Sequence, residues 1–168
     1  LLADIAGEEH AARAQVIRTT SGRIHLIGIA MDVTEQHRLA QRYAEADQRL
    51  AVAIECTSEA FVLWDRQGRL LMCNQNYRSV FSLEARLLKP GATHQQVTRF
   101  AQLAIKQQMP SPDGRKGVRE AELNDGRWIQ ISERRTAEGG LVMTAADITA
   151  IKIQEEARRL KEEQLQKA

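Results

Sequence analysis

At 168 residues the chain has room for one ordinary core, with something left over at its ends. Its 24 basic and 22 acidic residues leave a formal charge of +2, too weak a field for a nucleic-acid binder or an anionic-membrane binder. A hydrophobic share of 43% fits a folded globular domain, and a charged share of 27% is about the usual level.

The opening LLADIAGEEHAAR lacks the basic start and long apolar run of a signal peptide. Starting at Leu1 without a methionine, it reads as the beginning of a piece cut from a longer protein. The first informative string is SGRIHLIGIAMDVT at 21–34, which returns in outline as TAEGGLVMTAADIT at 136–149, an offset of 147 − 32 = 115 with Asp32 laid on Asp147. Each copy runs from turn residues to an apolar strand, then Asp-x-Thr, then a charged helix. A period of about one domain length points to tandem copies of one module rather than a short-period solenoid.

From Leu39 the apolar positions Leu39, Tyr43, Ala46, Leu50 and Ala53 alternate spacings of four and three, the seam of a helix that pairs with another helix. EAFVLWD and RLLMC flank Asp65-Arg66-Gln67-Gly68 and predict a β-hairpin. Asn74 is placed to cap a short helix carrying Tyr77, Val80 and Phe81 inward. Thr93-x-x-Gln96 is a capping box, opening a helix with Val97, Phe100, Ala101 and Ala104 on one face that Pro110 and Pro112 end. Residues 118–123, 127–136 and 141–147, separated by Asn124-Asp125-Gly126 and Glu138-Gly139-Gly140, read as a three-strand meander. The order β-β-α-α-β-β-β followed by a helix is an α+β plan.

That order, with Trp64-Asp65-x-x-Gly68-Arg69, Cys73-Asn74 at the first short helix, and Asp-x-Thr at 147–149, resembles the PAS fold. The resemblance implies an antiparallel five-stranded sheet with short helices on one face, flanked by linker helices. It divides the chain into C-terminal strands of a preceding PAS-like domain (1–34), a linker helix (35–55), a complete PAS domain (56–149) and a C-terminal coiled-coil linker helix (150–168). The stretch DGRWIQISERRTAEGGLVMTAADITAIK is similar, more narrowly, to PAS domains of alphaproteobacterial sensor histidine kinases of the PleC and PdhS kind. The implied function is a sensory and dimerisation module that relays a signal to a downstream kinase domain of the same chain, without catalysis of its own.

Candidate signal-relay residues are Asp32, Thr34, Asp147 and Thr149, each at a strand-to-helix junction where a carboxylate or hydroxyl satisfies helix N–H groups and meets the positive end of the dipole. Any such junction wants a cap, so a purely structural role explains them equally well. The candidate dimer seam is Leu39, Tyr43, Ala46, Leu50 and Ala53 with Ile153, Ala157 and Leu160; burial of the first helix against the domain's own sheet is the alternative. An apolar pocket for a small molecule would be lined by Tyr77, Phe81, Phe100, Trp128, Ile131, Met143 and Thr144. With only 4% aromatic residues, these side chains are expected to fill the core instead, and a ligand-binding receptor domain stands as the alternative function.

No catalytic constellation and no metal or cofactor site is expected. His10, His25, His37 and His94 are far apart, with no HExxH, and no phosphate-cradling glycine loop occurs. Cys56 and Cys73 lie in stretches that read as buried or half-buried, lack CxxC spacing, and suit small core hydrophobes in a reducing, cytoplasmic compartment. No apolar run reaches the roughly 18 residues that cross a bilayer. Expected partners are a second copy of the chain, the downstream kinase domain and other signalling proteins, with no nucleic acid and no membrane contact.

Overall fold

In the computed structural model the described residues are 2–6, 10–32 and 34–167, with side chains described at 17–25 and 34–167. The chain divides after residue 52 into two compact units. In the first, β1 (Leu2–Ala6), β2 (His10–Arg18) and β3 (Ile24–Asp32) form an antiparallel sheet in the order β1-β2-β3. The β2–β3 turn is closed by the Gly22 N–H donating to the Thr19 carbonyl at 2.9 Å, with Gly22 at φ 81°, a conformation that costs glycine nothing. Helix α1 (Thr34–Glu55) follows and buries none of its residues.

The second unit holds β4 (Ala60–Trp64), β5 (Leu70–Cys73), the short helices α2 (Gln75–Val80) and α3 (His94–Ala101), strands β6 (Ile105–Pro110), β7 (Val118–Leu123), β8 (Trp128–Arg135) and β9 (Leu141–Asp147), and helix α4 (Thr149–Gln166). The six strands are antiparallel in the order β5-β4-β9-β8-β7-β6. Strand alternation sorts the side chains. Val62, Trp64, Ala121, Leu123, Ile129, Ile131, Met143 and Ala145 face one way and pack with Tyr77 and Phe81 of α2 and Val97 and Ala101 of α3 into a single core.

Local chemistry explains the joints. Asp65 Oδ1 accepts from the N–H groups of Gln67 and Arg69, both at 2.8 Å, closing the β4–β5 turn. Thr93 and Gln96 form the reciprocal capping box at the start of α3. Asp125 Oδ1 accepts from the Arg127 N–H at 3.0 Å in the β7–β8 turn, where Gly126 takes φ 89°.

Two expectations are corrected. The sheet has six strands rather than five, because the segment expected to continue the α3 helix toward Pro110 leaves it at Ala101, passes through one 3-10 turn (Gln102–Ala104), and becomes β6. What makes 105–110 a strand is its neighbour: it pairs along β7, and both Lys106 Nζ (3.3 Å) and Gln107 Nε2 (2.6 Å) bond to the Glu122 carboxylate. Cys56, read as a core residue, is exposed at the end of α1, while Cys73 is half-buried.

Candidate functional site

Between the sheet and α3 lies a cavity of ≈20 Å³, about the space one water needs. Among the expected pocket residues, Tyr77, Phe81, Ile131 and Met143 line it, joined by Trp64, His94, Thr98, Arg119 and Glu133, which were not expected in the pocket. Four of the polar groups form two pairs. Arg119 Nη2 donates to Glu133 Oε1 at 2.8 Å, the two side chains being about 30% exposed (29% and 30%). His94 Nε2 and Thr98 Oγ1 are hydrogen-bonded at 3.3 Å, and the His94 ring meets Trp64 edge-on at 5.0 Å between centroids. Burial pushes the Tyr77 phenol well above its ordinary range, so it is neutral at any physiological pH.

Three expected lining residues lie elsewhere. Phe100 is 45% exposed and borders a shallow surface groove with Leu83 and Leu103, since α3 turns its Val97 and Ala101 face to the core instead. Trp128 and Thr144 are adjacent to the inward Ile129 and Met143, so strand parity sends them to the opposite, outer face of the sheet.

At the end of β9 the relay candidates form a compact joint. Asp147 Oδ1 accepts from the Thr149 N–H at 2.9 Å and from its hydroxyl at 2.6 Å, which with the nearby Arg127 charge holds the carboxyl below its ordinary range. The Thr149 hydroxyl oxygen does not cap the helix as a lone cap residue would; it accepts from the Trp128 N–H of β8 at 3.0 Å. The Ile148 N–H donates to the Trp128 carbonyl at 2.8 Å, so both backbone groups of Trp128 tie the start of α4 to β8. Farther along α4, Lys152 Nζ reaches the buried Glu120 carboxylate of β7 and sits 5.2 Å from the Trp128 ring centroid. In the first unit Thr34 is half-buried at the first position of α1. Asp32 ends β3, and its side chain lies outside the described residues.

Asn74 joins the other end of the domain. Only 1% exposed, its Oδ1 accepts from the N–H groups of Phe61 (2.9 Å) and Tyr77 (3.0 Å), and its Nδ2 donates to the carbonyls of Ile54 (3.1 Å) and Glu59 (2.8 Å). One amide thus fastens the last turn of α1, the entry to β4 and the start of α2. The sequence marks it as a cap; nothing in the sequence marks the two bonds its Nδ2 makes. The dimer-seam positions are all exposed, among them Leu39 (49%), Tyr43 (70%), Leu50 (50%), Ile153 (64%) and Leu160 (48%), with Ala46, Ala53 and Ala157 in the same class. Among the described residues no cluster of His, Cys, Asp and Glu is arranged to hold a metal, and no helix is long and apolar enough to cross a membrane.

Comparison with known proteins adds the following. A curated protein of Caulobacter vibrioides, the non-motile and phage-resistance protein, is 73% identical over 150 residues, covering 89% of this chain and 18% of that protein. The chain therefore spans under a fifth of its relative's length. Among solved structures it is similar to the PAS domain of BvgS from Bordetella pertussis (TM-score 0.42, 20% identity, 69% of this chain and 97% of that one). It is also similar to the PAS domain of an HTR-like protein from Haloarcula marismortui (TM-score 0.38, 16% identity, 67% and 99%). The family description "PAS fold" matches residues 54–156, more than half of the sequence and the stretch that builds the six-stranded sheet, so the chain belongs to the PAS fold family.

Proposed function

We propose that this chain is a sensory and dimerisation segment that relays a signal through its linker helices to a downstream histidine kinase of the same polypeptide, in the cytoplasm. The observation that carries it is the joint at Asp147, Thr149 and Trp128, where three short hydrogen bonds fix the direction in which α4 leaves the sheet. A helix so rooted moves with the sheet, and an exposed apolar seam on it suits pairing with a second copy. The tandem organisation, with 1–34 as the end of a preceding PAS-like domain, is supported by the antiparallel β1-β2-β3 followed by α1, which parallels β7-β8-β9 followed by α4. The chain makes no chemical step of its own in this scheme.

Relay through a paired helix depends on helical phase, which gives the test. In the full-length parent, seven residues inserted after Glu163 keep the seam in register, whereas four rotate it. Kinase autophosphorylation that survives the seven-residue insertion and is lost or locked on by the four-residue one supports the relay. Equal activity in both overturns it. A receptor function with a small molecule in the cavity has less support, because ≈20 Å³ holds about one water.

A further inference from the structure

On the outer face of β7, Glu120 is 6% exposed, and its Oε2 is fully buried without an aligned hydrogen-bond donor. A bare carboxylate in that position is costly, so its charge needs a cation. Lys152 supplies one from the first turns of α4, its Nζ in contact with Oε2, and the lysine is itself 19% exposed at the side chain. The contact with Glu120 raises the affinity of Lys152 for its proton above the ordinary lysine range. Glu155 stands 3.6 Å from the same Nζ, and the Trp128 ring faces it at 5.2 Å. The neighbouring outer-face carboxylate, Glu122, is bonded by Lys106 and Gln107 of β6. Pairing partners are thus divided, and Glu120 is met by the helix.

We propose that the Glu120–Lys152 pair is a latch that docks the first two turns of α4 on the sheet. The latch deepens the relay scheme and rests on it for its purpose. Its asymmetry follows from exposure. When α4 lifts, Lys152 keeps water and Glu155 as partners, but the Glu120 carboxylate loses the cation its buried oxygen rests against. Opening therefore separates the charge pair, and the docked state is favoured. The adjacent residue of the same strand, Arg119, points to the opposite face, where it pairs with Glu133 at the cavity.

Hydrogen exchange on this chain decides the matter, read at the amides of residues 152–156, with those of Ile131 and Ala145 in the core as the internal standard. Lys152→Met keeps the stem over Trp128 and removes the charge. Exchange in 152–156 is expected to rise at least about ten-fold while the core amides keep their protection, in line with the large cost of leaving one buried partner unpaired. Glu120→Gln also removes the pair but leaves no buried charge, so exchange is expected to rise by a smaller factor, about three-fold or more, and Glu120→Gln with Lys152→Met together should match Glu120→Gln rather than Lys152→Met. Unchanged exchange in Lys152→Met, or a double variant as fast as Lys152→Met, overturns the latch. Should Lys152→Met lose core protection too, Glu120→Gln carries the test alone: a rise of about three-fold or more in 152–156 upholds the latch, and near-native exchange overturns it. Because exchange is read on α4 itself, a latch failure is distinct from a relay failure, which shows only in kinase output.

Discussion

Thr149 and Trp128 share one hydrogen bond across the sheet-to-helix junction: the Trp128 N–H donates to the Thr149 hydroxyl oxygen at 3.0 Å, and that hydroxyl donates on to Asp147 at 2.6 Å. Thr149→Val keeps the branched shape and removes the oxygen. Trp128 is half-buried, so its N–H loses a partner that water replaces only in part. The expected cost is about 1 kcal/mol or somewhat more, seen as a lower melting temperature with an unchanged spectrum of the folded state. A Thr149→Ser variant retains the hydroxyl and is expected to recover most of the loss.

Asp147→Ala removes the acceptor for both Thr149 donors and is expected to cost about 1 kcal/mol, the usual scale of a lost helix cap, with faster exchange in residues 149–156. The pH dependence has a fixed sign. Hydrogen bonds from Thr149, then the Arg127 charge, hold the folded-state pKa of Asp147 below its unfolded value. A depressed carboxyl contributes stability that is complete above the unfolded pKa of about 3.9 and fades as pH falls through the folded one. Melting temperatures of the two proteins are therefore expected to differ at pH 6 and to draw together as pH falls below the unfolded value of about 3.9 and through the lower folded one.

Asn74 makes four hydrogen bonds at 1% exposure, two as acceptor and two as donor. Asn74→Asp is nearly isosteric but replaces the donor with a second acceptor, setting a carboxylate oxygen against the carbonyls of Ile54 and Glu59. The expected loss is about 2–4 kcal/mol, from two lost bonds and a buried charge, and it should shrink at low pH, where the protonated acid recovers one donor. Chemical denaturation at pH 7 and pH 4 tests both halves. Equal stability of the two proteins at pH 7 would falsify the four-bond description.

The two thiols are expected to separate in reactivity. Cys56 is exposed at the end of α1, whereas Cys73 is half-buried, with burial pushing its thiol above the ordinary range. A maleimide at pH 7 should modify Cys56 first, and mass spectrometry of the digested protein reads the order. Preferential labelling of Cys73 contradicts the structure at that edge.

What the sequence made legible was local chemistry with a short reach. The hairpin around Asp65 and Gly68, the capping box Thr93–Gln96 and the Asp125-Gly126 turn all place a named donor beside a named acceptor within four residues, and all are present. Strand β6 was hidden because its only strongly apolar residues are Ile105 and Met109, while its strand state comes from pairing with β7, whose residues lie nine to eighteen positions further on. The expected pocket residues do not share one face of the sheet, and their spacing shows it. Trp128 and Ile131 are three apart, and Met143 and Thr144 are adjacent, so no single strand face holds either pair. Glu120 had no signal at all, since VREAEL reads as an ordinary half-exposed strand and its cation arrives thirty-two positions later.

The last prediction concerns association. The seam Leu39, Tyr43, Ala46, Leu50 and Ala53 runs along an α1 with no buried residue, and Tyr43 is 70% exposed. A helix of 22 residues with so little burial has little to hold it, because short helices are marginal in water unless a face is packed. A second copy offers the matching stripe, and Glu35, Arg38, Arg42, Glu45 and Arg49 beside it remain hydrated at the rim of a two-helix contact. On α4, Ile153, Ala157 and Leu160 repeat the spacing, flanked by the intrahelical pairs Arg158–Glu162 and Arg159–Glu163, which support the helix without using the seam. The double change Tyr43→Glu and Leu50→Glu sets two carboxylates of each copy against their counterparts while touching no residue of the core. Sedimentation is expected to show a dimer for the unmodified chain at high micromolar concentration and a folded monomer for the double variant. A monomeric parent chain, or a double variant that stays dimeric, assigns association to another surface or denies it.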